Sequence, residues 1–228
     1  MSPRRFDCVL FDLDNTLIEI PDPWNYFDGI IIEVVRDDFH LPVPTQEQRD
    51  TLWRTGKEYY KILASWGIPD AKKFWDYFDN RDYTKRKVMI TEKKLIIHPE
   101  ILPILHQLKV QGYTLGIVTN SPTFIARMEL DAYNFDSIFS IVLGLGETQD
   151  ICKPEPDGIL MVLKKLGFLP EKAVYIGDST VDLIAAKRAH VKGLLLDRTR
   201  KKHIDHAELM ESDFVRVGSF EELLSFLS

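Results

Sequence analysis

The chain is poor in cysteine, carries no excess of positive charge and has no long apolar run. Two cysteines among 228 residues, Cys8 and Cys152, make no disulfide framework. Lysine and arginine number 29 against 35 aspartates and glutamates, a formal net charge of −6. That balance argues against a nucleic-acid binder that works by neutralising phosphates. It leaves room for a small anionic substrate, which needs only a local positive site. The longest aliphatic cluster, around Ile30-Ile31-Ile32, is far too short to span a bilayer. The segment Met1-Ser2-Pro3-Arg4-Arg5-Phe6 runs straight into an apolar stretch with no signal-peptide core. These absences predict a soluble cytoplasmic protein with neither nucleic acid nor membrane as partner. Nothing in the sequence specifies an oligomeric state.

What is present is an apolar content of 45%, enough for a packed core, and a regular alternation of element signals from residue 99 onward. Residues 99–111 read as a helix with proline at its start and Gly112 past its end. Residues 114–118 read as a buried strand. Ser121-Pro122 reads as an N-cap and N1 proline opening a helix to about Tyr133. Residues 138–143 form a short strand, and 156–166 a helix closed by Gly167. A strand at 173–176, a helix at 182–190 and a strand at 193–196 follow. Ser219-Phe220-Glu221-Glu222 matches a capping box for a last helix to Leu227. Apolar strands alternating with helices predict an α/β protein, a parallel sheet covered on both faces.

One gap breaks the rhythm. Residues 15–113 separate the first strand, Cys8-Val9-Leu10-Phe11, from the second, although a β-α-β unit needs only about 30 residues. The surplus predicts an insertion at 18–97, leaving 1–17 and 98–228 as the core. Apolar spacings predict helices at 23–39, 46–66 and 71–78. All four tryptophans, Trp24, Trp53, Trp66 and Trp75, fall in this insertion. Most are expected to build its small core rather than line a pocket.

Four polar segments fall at or after the carboxyl ends of the predicted strands, where open parallel sheets bind ligands. Asp12-Leu13-Asp14-Asn15-Thr16 follows the first strand. Its two carboxylates, two positions apart, project from one face and repel unless a cation neutralises them. They ask for a metal, a nucleophile or an acid/base pair; strand-end caps are the plain alternative. Thr119-Asn120 follows the second strand, Lys153-Pro154 comes after the third, and Gly177-Asp178-Ser179-Thr180-Val181-Asp182 follows the fourth.

In this order the four segments resemble the motifs of the haloacid dehalogenase (HAD) superfamily of phosphohydrolases, over residues 6–17 and 99–200. The resemblance implies a Rossmann-like three-layer core with an inserted helical cap. It implies that Asp12 is the nucleophile, forming an aspartyl-phosphate, and that Asp14 is the general acid and then base. It implies Mg²⁺ held by Asp12, the backbone carbonyl of Asp14 and Asp178. Thr119, Asn120 and Lys153 are implied to bind the phosphoryl oxygens, the asparagine through its backbone N–H. Asp182 is implied to support the metal shell through water or to pair with Lys153, and Thr16 to brace the turn. The implied partner is a small phosphorylated metabolite.

Three other readings share the pattern. A phosphomutase would return the phosphoryl group to a reoriented intermediate. A haloacid dehalogenase is disfavoured by Asp14, whose proton serves an alkoxide rather than a halide. A non-catalytic binding module is disfavoured by the full set of residues. Outside the pattern, His203 and His206 lie three apart on an expected helix and are read as surface residues. Cys152 is read as a loop cysteine. The run Thr84-Lys85-Arg86-Lys87 is read as a solvated face of the insertion, with one cation in reach of a substrate anion.

Overall fold

A computed structural model describes residues 4–55, 58–135, 137–146, 151–200, 202, 204 and 206–227. The chain divides into two compact units, Met1–Glu19 with Ile97–Ser228, and Ile20–Ile96.

The first unit is built on six parallel strands in the order β3-β2-β1-β4-β5-β6. These are β1 (Cys8–Phe11), β2 (Thr114–Thr119), β3 (Ile141–Gly144), β4 (Ala173–Gly177), β5 (Lys192–Leu196) and β6 (Phe214–Val217). The central strands β1 and β4 are buried along their whole length, which is why they read as unbroken apolar runs. One layer of the core joins Cys8, Leu10, Val118, Ile159, Val162 and Tyr175. Strand β6 escaped the sequence reading because Phe-Val-Arg-Val holds only one strict alternation and lies at the sheet edge.

In the second unit, helix α1 (Pro23–Glu33) continues into a π-helical turn, Val34–Asp38. Helices α2 (Gln46–Arg54), α3 (Tyr59–Ser65) and α4 (Ala71–Thr91) follow. Their core includes Ile30, Val34, Leu63, Trp66, Phe74, Trp75 and Phe78. Trp66 and Trp75 are buried, whereas Trp24 and Trp53 remain partly exposed. Trp53 still packs against Phe27, Trp75 and Phe78.

Helix α4 runs thirteen residues beyond the expected end, through the basic run. The reason is Arg86, which turns inward rather than to solvent. It is fully buried, donates from Nε to Asp82 Oδ1 at 2.8 Å, and lies over the Phe27 ring. Tyr26 donates to the same Asp82 oxygen at 2.7 Å. Lys85 pairs with Glu33 at 2.8 Å. The expectation of a solvated basic face is therefore corrected for Arg86: with no water around it, the cation takes a buried carboxylate as its partner.

In the first unit, α5 (Ile101–Val110) starts two residues later than expected. Helix α6 (Thr123–Ala132) is preceded by Pro122 as its N-cap, not Ser121; the Ser121 hydroxyl donates to Asp14. Helix α7 (Asp157–Leu166) ends at Gly167 with φ 78°, the left-handed conformation glycine adopts without strain. Helices α8 (Thr180–Arg188) and α9 (Phe220–Leu227) complete the unit. Before α9, Ser219 Oγ accepts from the Glu222 N–H, but Glu222 reaches back to the Gly218 N–H, so the box is offset by one residue. Among the described residues no helix is long and apolar enough to cross a membrane.

Candidate active site

The chain runs outward from β1 to β2 and β3 and then returns to β4 on the other side of β1. That reversal opens a crevice at the carboxyl end of β1, where Asp12 emerges. Phe11 sits in register with Ile117 and Ile176, and the Asp12 N–H donates to Ile176 O at 2.8 Å. The next residues form a tight turn in which the Leu13 carbonyl accepts from the N–H groups of Thr16, Leu17 and Ile18. Asn15 has φ 58°, a backbone angle asparagine tolerates better than most side chains. Arg198 clamps this turn from beyond β5, donating to Asn15 O at 3.0 Å and Thr16 O at 2.8 Å. Thr16 contributes to the turn through its backbone. Its hydroxyl is buried and has no hydrogen-bond partner among the described residues.

Lys153 is the hub. Its ammonium donates to Asp12 Oδ1 at 2.7 Å, Asp182 Oδ1 at 2.6 Å and Tyr175 Oη at 2.9 Å. The Tyr175 hydroxyl in turn donates a hydrogen bond to Val118 O at 2.7 Å. The backbone of Lys153 is gripped by Asn120: Lys153 N–H donates to Asn120 Oδ1 at 2.8 Å, and Asn120 Nδ2 donates to Lys153 O at 3.1 Å. The Asn120 side chain is thus committed to holding the lysine, an arrangement the sequence did not suggest. The Thr119 hydroxyl is buried and accepts from the Ser121 N–H at 3.2 Å. Ser121 Oγ donates to Asp14 Oδ2 at 2.7 Å, fixing the second carboxylate of the pair.

The Gly-Asp-x-x-x-Asp spacing is explained by close approach. A Cβ on Gly177 would lie 2.2 Å from Asp182 Cγ, so only glycine lets the first turn of α8 fold back over the strand end. Asp182 Oδ2 then accepts from the N–H and the hydroxyl of Ser179, at 3.0 and 2.5 Å. With Oδ1 on Lys153, both its oxygens carry protein donors. Asp178 Oδ2 accepts from Lys202 Nζ at 2.6 Å, and its Oδ1 has no hydrogen bond from the described residues.

Ligand oxygens of Asp12, Asp178 and Asp182 lie within 4.8 Å of one another. Burial pushes the Asp12 carboxyl up to about 8, with Lys153 opposing and Asp182 reinforcing the rise. Burial likewise raises Asp178 against the pull of Lys202. Burial works to lower Lys153, but Asp12 and Asp182 outweigh it and hold the ammonium well above its ordinary range. With all three ionised, the carboxylates outnumber the two ammonium groups, so ionisation of Asp12 calls for further positive charge. All-oxygen donors suit a hard divalent cation. The residues fit such an ion, with Asp12 and Asp178 as its carboxylates, since Asp182 is saturated.

The structure therefore joins Asp12, Lys153 and Asp182 in one hydrogen-bonded group, brings Asp178 beside them, and links Asp14 to the Thr119 loop through Ser121. Sequence reasoning missed Tyr175, Ser121, Arg198 and Lys202. A tyrosine in an otherwise apolar buried strand was one available signal, because its hydroxyl must find a partner. The rule that ligands gather beyond strand ends, applied to β5 as well, would have flagged Arg198 and Lys202. Cys152 is a buried cysteine next to the lysine. His203 lies outside the described residues, and His206 is in no helix; its Nδ1 accepts from the Glu208 N–H.

Against known proteins, residues 9–196 match the family model for haloacid dehalogenase-like hydrolases. A phosphoglycolate phosphatase of Pasteurella multocida (strain Pm70) is 35% identical over 191 residues, covering 81% of this chain and 83% of that protein. The pyrophosphatase PpaX of Bacillus cereus (strain AH820) is 26% identical over 234 residues, covering 98% and 97%. Among solved structures, a predicted phosphoglycolate phosphatase from Haemophilus somnus 129pt superposes with a TM-score of 0.67 at 25% identity, covering 98% of this chain and 99% of that one.

Proposed function

Because the chain belongs to the haloacid dehalogenase-like hydrolase family, we propose that it is a Mg²⁺-dependent phosphatase acting on a small phosphorylated metabolite through an aspartyl-phosphate on Asp12. The observation that carries this reading is the state of Asp12. Lys153 holds Oδ1 at 2.7 Å, and Oδ2 takes no hydrogen bond from the described residues. A carboxylate fixed on one oxygen and open on the other is oriented for attack.

In the first step an oxygen of Asp12 bonds to phosphorus as the bond to the leaving oxygen breaks, and Asp14 gives that oxygen its proton. In the second step Asp14 takes a proton from water, whose oxygen attacks phosphorus and restores the Asp12 carboxylate. Lys153, the Thr119 hydroxyl and nearby backbone N–H groups neutralise the phosphoryl oxygens. Asp12, Asp178 and the Asp14 carbonyl would hold Mg²⁺, which when bound would supply further charge neutralisation for the phosphoryl group. Ser121, by donating to Asp14, keeps the acid/base carboxylate in one rotamer. The inserted helical unit is assigned substrate selection, since the phosphate is held by the α/β unit. Phosphoglycolate and pyrophosphate, after which these relatives are named, are the first compounds to try.

The test is phosphate release from a panel of phosphorylated metabolites, with Mg²⁺ and with EDTA, for wild type, Asp12→Asn and Asp14→Asn. Metal-dependent release that Asp12→Asn abolishes is expected. Asp14→Asn should slow both steps and flatten the pH–rate profile. Near wild-type release by Asp12→Asn would refute the nucleophile assignment.

A further inference from the structure

Lys202 is not part of the motif pattern, yet its ammonium touches a carboxylate assigned to the metal. It donates to Asp178 Oδ2 at 2.6 Å and to the Asp178 backbone carbonyl. The two bonds tie side chain and main chain of Asp178 together, so the carboxylate cannot rotate without breaking one of them.

The lysine is itself anchored. Asp197, the residue after β5, is fully buried. Its Oδ2 accepts from the Lys202 N–H at 3.0 Å and from Arg216 Nη1 at 2.7 Å. The same Arg216 nitrogen donates to Lys202 O at 2.8 Å. The backbone of Lys202 is thus held on its N–H and its carbonyl by one ion pair spanning the ends of β5 and β6. A chain of contacts runs from that pair, through the lysine, to Asp178.

We propose that Lys202 is a positioning residue for the metal centre. It pins Asp178 Oδ2 and so presents Oδ1, the oxygen without a hydrogen bond from the described residues, as the single oxygen offered to a divalent cation beside Asp12. This rests on the reading of Asp12 and Asp178 as metal ligands. A tethered ammonium also opposes a nearby cation by Coulomb repulsion. Orientation outweighs repulsion here because the lysine is fixed at both ends and binds the oxygen not offered to the ion. Hydrogen-bonded partners of ligating carboxylates set metal affinity by about 10–100-fold.

The experiment is isothermal titration of Mg²⁺, and of Mn²⁺, into wild type, Lys202→Met and Lys202→Arg, with EDTA-treated protein melted in parallel. Lys202 is partly exposed, so Lys202→Met is expected to melt within a few degrees of wild type. The Kd of Lys202→Met for both ions should rise roughly tenfold or more, and Lys202→Arg should recover part of the loss. An unchanged Kd in Lys202→Met would overturn the proposal. A tighter Kd would overturn it too, in favour of a competing ammonium. If wild type itself bound neither ion, the metal-dependent phosphatase reading would fall first, and this inference with it.

Discussion

Lys153 bonds Asp182 at 2.6 Å with both side chains closed to water. The same ammonium holds Asp12 at 2.7 Å. A buried pair gains little over an apolar replacement of both partners, but removing one partner leaves an uncompensated charge. Here removal would leave two carboxylates. Lys153→Met is expected to lower stability by about 3–5 kcal/mol and to abolish phosphate release. Denaturant unfolding and a phosphate assay check the two effects separately. A fully stable, inactive variant would mean that the lysine serves catalysis alone.

Tyr175 adds a restraint without adding charge. Its hydroxyl accepts from Lys153 at 2.9 Å and donates to Val118 O at 2.7 Å. Tyr175→Phe keeps the ring in the core and deletes both bonds, leaving a buried carbonyl unpaired. The expected cost is about 1–3 kcal/mol. The variant should remain folded and active, with kcat reduced more than KM is raised, because the lysine loses a lateral hold while its two carboxylates remain. Steady-state kinetics indistinguishable from wild type would remove Tyr175 from the positioning set.

The inserted unit offers a cleaner stability test. Arg86 and Asp82 are sealed in its core, and all four tryptophans of the chain lie in the same unit. Tryptophan fluorescence during urea unfolding therefore reports on this unit. Arg86→Met, which leaves Asp82 with the Tyr26 hydroxyl but without its counter-charge, should cost about 3–5 kcal/mol. The double variant Arg86→Met/Asp82→Asn should recover part of that loss, since a neutral amide is less costly to bury than a lone carboxylate. Equal loss in single and double variants would show that packing of the arginine stem, not charge, dominates.

These cases also show what the sequence could reveal. The parallel strands were legible because a strand covered on both faces must be apolar throughout, and Cys8–Phe11 and Ala173–Gly177 are. The site segments were legible because parallel topology sends Asp12, Thr119, Lys153 and Asp178 to one edge. Arg86 was not legible: within Thr84-Lys85-Arg86-Lys87 its neighbours are polar, and only helical phase, with Asp82 one turn earlier and the distant Tyr26, decides which cation is buried. Lys202 and Ser121 were illegible for a related reason. Each acts on a carboxylate from another segment, so its role lies in a tertiary contact and not in local spacing.

Cys8 supplies a pH dependence that needs neither metal nor substrate. It lies at the start of β1 with no exposed surface. Burial, helped by the neighbouring Asp7 charge, pushes its thiol up to about 12 from an ordinary 9.0. In the unfolded chain the thiol ionises as pH passes 9; in the folded chain it stays protonated until about 12. Between those limits the unfolded state binds fewer protons, so stability falls as pH rises, by about 1.4 kcal/mol per unit. Cys8→Ala loses this contribution, along with some packing at every pH. From pH 8 to pH 10, wild type should therefore lose about 1.4 kcal/mol more than Cys8→Ala does. Urea midpoints at the two pH values measure the difference. Alkylation gives a second check: iodoacetamide at pH 8 should leave Cys8 unmodified in the folded protein and label it in urea. Rapid labelling without denaturant would show that the first strand opens to solvent, and would remove the burial on which the pH effect depends.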